Sequence, residues 1–79
     1  SDRTECDFLI VKNKEIEKAI QVCYELNEKN REREVGGLTE AMEKFKLKKG
    51  LLLTNNQEEE LKIGGKIIII KPVWKWLLE

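Results

Sequence analysis

Histidine is absent from this chain of 79 residues, which has only two cysteines and one proline. The lack of histidine removes the commonest transition-metal ligand and the usual general base near neutral pH. Two cysteines cannot supply a four-ligand zinc site or a disulfide framework. These absences exclude or weaken most classes of enzyme and of zinc-binding module.

The sequence also lacks net charge and any long apolar run. Fifteen basic residues balance fifteen acidic ones, so no global field attracts nucleic acid or an anionic membrane. No apolar run is longer than that at 67–70, which is far too short to span a bilayer, and the N-terminal residues have no signal-peptide core. We therefore expect a cytoplasmic protein without membrane contact, and net charge does not favour nucleic-acid binding.

At this length the chain is a single domain, 1–79, with a thin core and a strongly charged surface. Apolar β-branched residues predict strands over 6–11 and 16–26, joined by a three-residue loop at 13–15 as an antiparallel hairpin. A short buried strand over 51–54 comes later. Two further strands, over 59–63 and 66–70, flank Gly64 and Gly65, which suit a tight hairpin turn.

Between the second and third strands the apolar period changes to that of a helix. Val35, Leu38, Met42 and Phe45 form one apolar stripe. Asn27 or Asn30 is suited to cap this helix, and Gly50 to end it. Gly36 and Gly37 interrupt the pattern, so either the helix begins after them or they allow close packing on a sheet.

The predicted fold class is therefore α/β, with a small mixed sheet. Its core is a β-hairpin, a helix and a strand, and a right-handed crossover makes the second and third strands parallel. A C-terminal β-hairpin and a short helix beginning at Pro72 complete it. In that helix Trp74 and Trp76 could stack on nucleobases, but beside Leu77 and Leu78 we expect them to dock on the core.

The first strand is apolar on both faces, which requires a covering layer on each. The long helix can cover one face, and the terminal helix only part of the other. This pattern predicts an uncovered apolar sheet face that contacts upstream domains of a longer chain, a second copy or another protein.

In the first hairpin, a register that places Phe8 opposite Ile20 puts apolar residues opposite one another. Cross-strand partners share a face, so Asp7 then lies beside Gln21, with Cys23 one step further along. The pattern is an Asp on the first strand and Gln-x-Cys on the second, before the helical crossover.

This order resembles the PD-(D/E)XK nuclease fold, in which an Asp and a Glu-x-Lys motif occupy the same strands. The runs at 5–11, 20–26 and 70–78, including Gln-Val-Cys-Tyr and Trp-Lys-Trp, are similar to the C-terminal nuclease-like domains of archaeal AAA-type ATP-binding proteins of uncharacterised function. The resemblance implies a truncated restriction-endonuclease-like fold. It also implies that this chain is the C-terminal piece of a longer ATPase chain, with ATP bound only in an upstream domain.

In active members of the nuclease fold, the two carboxylates hold Mg²⁺ and the lysine assists the attacking water. Asp7 matches the Asp, but Gln21 replaces the Glu and Cys23 replaces the Lys. The resemblance thus implies a vestigial catalytic set, in which Asp7 is the one carboxylate left for Mg²⁺ or Mn²⁺. Glu25, two residues beyond Cys23, is a candidate substitute acid.

Two functions remain open at this point. One is a non-catalytic, nuclease-like interaction module without a cofactor of its own. The other is a metal-dependent nucleic-acid-processing domain with a degenerate Asp7, Gln21 and Cys23 site. Neutral net charge and the two replaced residues favour the first, so we do not expect this chain alone to be an enzyme.

Overall fold

The computed structural model describes residues 7–79 and shows that part of the chain as a small mixed α/β fold. Its elements are β1 (Phe8–Lys12), β2 (Glu15–Val22), α1 (Arg31–Lys44), β3 (Lys49–Thr54), β4 (Glu59–Ile63), β5 (Lys66–Pro72) and α2 (Val73–Leu78). The strands form one sheet in the order β1-β2-β3-β5-β4. Strand β3 is parallel to both β2 and β5, while each edge strand is antiparallel to its neighbour. This architecture confirms the predicted mixed sheet and the parallel pairing of the second and third strands.

The first hairpin has the predicted register but a shorter loop. Phe8 pairs with Ile20 and Leu9 with Ala19, as expected. The loop is two residues rather than three, because Asn13 and Lys14 both adopt positive φ, at 55° and 67°, as a type I′ turn requires. A bulge that adds one residue to β2 restores the register. The predicted start of the first strand at Cys6 lies outside the described residues.

Strand β2 ends at Val22, four residues before the predicted end at position 26. Beyond it, the Cys23 N–H still donates to the Leu53 carbonyl at 2.9 Å, but the chain then turns and buries Leu26 in the core. The side-chain amide of Gln57 takes the place of a neighbouring strand. Its Oε1 accepts from the Leu26 N–H at 2.7 Å and its Nε2 donates to the Leu26 carbonyl at 2.9 Å.

Helix α1 begins after an asparagine-capped turn. The Asn27 side chain accepts from the N–H groups of Lys29 and Asn30 at 2.8 and 3.0 Å, so it satisfies donors ahead of the helix. Asn30 occupies the N-cap position without a side-chain capping bond to the helix. At the other end, the predicted role of Gly50 is wrong, because Gly50 lies within β3.

The left-handed residue that terminates α1, two positions after its last residue, is Lys46, at φ 56°. The N–H of Leu47 then donates to the Met42 carbonyl at 2.7 Å, and that of Lys46 to the Glu43 carbonyl at 3.2 Å. This pair of bonds is a Schellman motif. Lysine tolerates the left-handed conformation here at a cost that glycine would avoid.

The core lies between α1 and one face of the sheet. Its buried side chains come from α1, from three strands and from the segment after β2, and they are Ala19, Leu26, Val35, Leu38, Ala41, Met42, Leu52, Ile68 and Ile70. The predicted helical stripe is confirmed except at Phe45, which is half-buried beyond the end of the helix. Gly36 is within α1 but opens to solvent, with nothing within 4 Å of an added Cβ. It therefore neither delays the helix nor packs on the sheet.

The second hairpin has the predicted turn, with Gly64 and Gly65 at φ 54° and 83°. Strand β5 continues to Pro72 rather than ending at position 70, and α2 begins at Val73, one residue later than predicted. Helix α2 follows on the sheet face opposite α1, but none of its residues is buried, and Trp74 is 53% exposed. The expectation that the tryptophans dock on the core is therefore wrong for Trp74, while Trp76 is half-buried. A helix of six residues is too short to bury its own side chains against the sheet.

Strand β1 exposes apolar side chains on both faces of the sheet. Phe8 and Val11 are 59% and 60% exposed, while Leu9 and Ile10 are each 38% exposed. In addition, no helix among residues 7–79 combines the length and apolar character needed to cross a membrane.

At Gly50 the side chains of α1 pack closely against β3. A Cβ at this position would lie 2.5 Å from Met42 Sδ and 3.2 Å from Leu38 Cγ, and both side chains are fully buried. We expect Gly50→Ala to lower the free energy of unfolding by about 1–3 kcal/mol through overpacking. Urea denaturation measures this change.

Gly36→Ala is the matched control. The new methyl group meets nothing within 4 Å, and alanine is favoured over glycine within a helix by about 1 kcal/mol. This variant is therefore expected to be more stable than the unmodified protein. Equal effects of the two substitutions would contradict the close approach of α1 to β3.

Candidate functional site

Asp7 and Gln21 lie together at one end of the first hairpin, as the register requires. The Asp7 N–H donates to Gln21 Oε1 at 3.3 Å, and Asp7 Oδ2 accepts from the Val22 N–H at 2.8 Å. Asp7 precedes the first residue of β1, so its carboxylate pairs with a backbone donor where the ladder between β1 and β2 ends. That bond is a sufficient structural role for this side chain.

The amide of Gln21 is bonded at both ends. Its Nε2 donates to Glu34 Oε1 at 3.0 Å, while its Oε1 accepts from the Asp7 N–H. Gln21 is 7% exposed, and the Glu34 side chain is 15% exposed. A carboxylate at position 21 could not donate to Glu34. Glutamine therefore serves here as a donor between the sheet and α1, and Glu34 completes an Asp7–Gln21–Glu34 cluster.

Glu34 is the residue that the sequence interpretation missed. It lies one helical turn before Leu38, next to the apolar stripe of α1. A carboxylate beside that stripe, where apolar residues are otherwise found, is the signal that could have identified it. Glu25, the acid considered instead, is exposed and contributes its backbone carbonyl, which accepts from Asn30 Nδ2 at 2.9 Å.

Cys23 adjoins the cluster as a protonated thiol. Its Sγ donates to the Glu25 carbonyl at 3.4 Å and receives a weak bond from Asn30 Nδ2 at 3.6 Å. Burial raises the pKa of the Cys23 thiol above its ordinary value, and the negative charge of Glu34 acts in the same direction. The cation in contact with the cluster is Arg33, whose Nε lies 3.4 Å from Glu34 Oε2. Its side chain is 72% exposed.

The side-chain atoms of this cluster do not suit a divalent metal ion as ligands. Mg²⁺ takes oxygen ligands, but the Gln21 group that faces Glu34 is an N–H donor, and Asp7 Oδ2 is already bonded to the backbone. Within the described range 7–79, no three Asp, Glu or Cys side chains converge in a way that could hold a metal. We therefore derive no metal-dependent step from this cluster.

The bond between Gln21 and Glu34 can be tested by paired substitutions in the first turn of α1. Glu34→Ala leaves the buried Gln21 amide without its acceptor, so we expect a loss of about 1–3 kcal/mol in the free energy of unfolding. Glu34→Gln keeps an acceptor oxygen and is expected to cost less. Thermal or urea denaturation gives both values.

Glu32→Ala is the control, because it removes another acidic residue from the same exposed first turn. Both alanine variants lose the favourable interaction with the helix dipole, so the difference between them measures the contacts of Glu34. The Gln21 bond dominates these, because the ion pair with the exposed Arg33 side chain contributes little. Equal stabilities for Glu34→Ala and Glu32→Ala would refute that bond.

The raised pKa of Cys23 predicts that its thiol is alkylated slowly. Because the thiolate is the nucleophile, iodoacetamide at mildly alkaline pH should modify Cys23 more slowly in the folded protein than in urea. A Cys6→Ser background isolates the signal, and mass spectrometry follows it. Since a raised pKa favours the neutral thiol, the difference in modification rate between the folded protein and the protein in urea should shrink as pH rises through the folded-state pKa of Cys23. Faster modification of the folded protein would contradict the assigned environment.

Comparison with known proteins gives one informative relative. The chain is similar to the uncharacterized protein MJ1544 of Methanocaldococcus jannaschii, with 46% identity over an alignment of 81 positions that covers 94% of this chain. The chain spans about 18% of the length of that protein. No family model matches the chain, and no solved structure matches it.

Proposed function

We propose that this chain is a non-catalytic, nuclease-like interaction module within a longer archaeal ATP-binding protein. Three features support a truncated restriction-endonuclease-like fold. The first hairpin carries Asp7 and Gln21 on neighbouring strands, α1 follows it, and β3 then pairs in parallel with β2. This element order is the one that the resemblance to the PD-(D/E)XK fold implies.

The observation that best supports a function without catalysis is the structural role of Gln21. Its amide donates to Glu34 and accepts from the Asp7 backbone, so the position of the nuclease glutamate is occupied by a side chain that links sheet to helix. Cys23, at the position of the nuclease lysine, is a half-buried thiol with a raised pKa. Both replacements serve local structure rather than hydrolysis.

The proposed role in interaction is supported by the exposed apolar side chains of β1. This strand is at the edge of the sheet and exposes apolar side chains on both faces, with Phe8 and Val11 about three-fifths exposed. Exposed apolar edge strands favour pairing with another chain or segment. The partners we infer are upstream domains of the parent chain or another copy. The relative from M. jannaschii is several times longer than this chain, which supports a place within a larger protein.

A Mn²⁺ titration followed by amide NMR tests the proposal, with Mg²⁺ as the diamagnetic reference. We expect no selective paramagnetic broadening at Asp7, Gln21 or Val22, because Asp7 Oδ2 and Gln21 Oε1 already accept hydrogen bonds from backbone N–H groups. Asp7→Asn is the control variant: broadening that persists in it does not arise from the Asp7 carboxylate. Selective broadening that Asp7→Asn abolishes would refute the non-catalytic function and favour the metal-dependent, nucleic-acid-processing alternative.

A further inference from the structure

A groove lies between α2 and the sheet, on the face opposite the Asp7–Gln21–Glu34 cluster. Its volume is about 340 Å³, and its walls include Leu51 and Ile69 from the sheet and Trp76 from α2. Ligand pockets commonly measure roughly 300–1,000 Å³, so this groove is of a size for a small ligand.

One end of this groove is basic. Lys18, Lys48 and Lys49 all line it and are all exposed. In the parallel pairing of β2 with β3, Ile20 lies beside Leu51. Extending this register two residues toward the start of each strand places Lys18 beside Lys49, and both line the groove. Like charges at neighbouring strand positions destabilise a sheet unless an anion lies between them.

Basic residues on β5 and α2, by contrast, are paired with carboxylates. Lys66, Lys71 and Lys75 each form an ion pair, with Glu43, Glu79 and Glu58. The ion pairs between residues of the 7–79 range include none from Lys18, Lys48 or Lys49. Glu17 also lines the groove and offsets one of the three charges. A local excess of positive charge thus remains in a chain that has no net charge.

The opposite end of the groove is polar but neutral, because Lys71 Nζ pairs with Glu79 Oε1 at 2.6 Å. A ligand that fits all three regions has a flat apolar body, an anionic group at one end and hydrogen-bonding groups at the other. A nucleoside monophosphate has this arrangement. Its base can contact Trp76 and present its polar edge to Lys71 and Glu79, while its phosphate reaches Lys18 and Lys49.

We propose that the groove between α2, β2 and β3 binds a nucleobase joined to a phosphate, either as a free nucleotide or as the 5′-phosphorylated end of a single strand. Trp76 is the stacking residue, and Lys18 and Lys49 hold the phosphate. Aromatic stacking of this kind is a general mode of single-strand recognition. This proposal concerns a separate surface and does not rest on the non-catalytic function of the Asp7–Gln21–Glu34 cluster.

The test is a fluorescence titration in a Trp74→Phe background, which leaves Trp76 as the only tryptophan. The probes are adenosine monophosphate and a short 5′-phosphorylated single-stranded oligonucleotide. We expect saturable quenching by one or both, and the comparison tells which source of the ligand is preferred. We also expect the affinity to fall as salt rises. Absence of quenching by both probes at millimolar concentration, with no amide shift near Lys18, Lys49 or Trp76, would overturn the proposal.

Substitutions identify the groove as the site of binding. Lys18→Ala with Lys49→Ala should weaken binding at least tenfold. The charge-matched control, Lys29→Ala with Lys44→Ala, removes two lysines from the α1 side and should leave affinity within about twofold. Equal affinities for the two double variants would refute the assignment. Adenosine and phenyl phosphate are the chemical controls, and either one binding as tightly as adenosine monophosphate would refute recognition of base and phosphate together.

A stability measurement separates a ligand site from a structural one. Lys49→Glu places opposite charges beside each other on β2 and β3, so it should raise the midpoint of thermal unfolding of the free protein while abolishing nucleotide binding. A lower midpoint would show that Lys49 stabilises the free fold and would contradict its assignment as a ligand-binding residue.

Discussion

The close approach of α1 to β3 at Gly50 is the contact on which the rest of this structure depends. A glycine in the central strand leaves room for Met42 and Leu38, which are fully buried against it. This depth brings the helix low enough over the sheet for Glu34, in its first turn, to reach Gln21. A larger residue at position 50 would lift the helix and lengthen that bond. The packing of Leu38 and Met42 against Gly50 thus affects the hydrogen bond between Gln21 and Glu34 in the first turn of the same helix.

The two faces of the sheet serve different purposes. Beneath α1 the polar groups are bonded to one another, and the described part of the chain leaves no buried side-chain nitrogen or oxygen without a partner. On the opposite face, α2 buries none of its own residues and leaves a groove with lysines at its rim. Satisfied buried networks fix a structure, whereas unpaired exposed charges remain available to other molecules. The same small sheet therefore carries a closed side and an open side.

Much of the fold could be predicted because local patterns and tertiary packing agree. The alternation that paired Phe8 with Ile20, and the Gly64-Gly65 turn, are confirmed. The errors arose where a distant residue decides local structure. Strand β2 ends at Val22, and the backbone of Leu26 is bonded instead by Gln57, more than thirty residues later in the sequence. Helix α1 ends at Lys44, and the left-handed residue that follows it is Lys46 rather than Gly50, which lies in β3 against Met42 and Leu38.

The candidate site shows the same limit on prediction. Pairing of Asp7 with Gln21 follows from the strand register, which the sequence pattern contains. The bond from Gln21 to Glu34 depends on how α1 lies across the sheet, and no periodicity within one element contains that information. Lys18 and Lys49 similarly lie on different strands, β2 and β3, and the predicted third strand began only at position 51, so their proximity depends on the observed extent and register of β3.

The strand order also has a consequence for how the chain folds. Both edge pairs are tight hairpins, β1 with β2 and β4 with β5, and isolated hairpins of this kind form in roughly 1–10 μs. Strand β3 occupies the centre, and its pairings with β2 and β5 join residues far apart in the sequence. Such non-local pairings are slow because loop entropy is lost before contacts compensate for it. Insertion of β3 between two hairpins, with α1 folded over it, is therefore the step that should limit the folding rate.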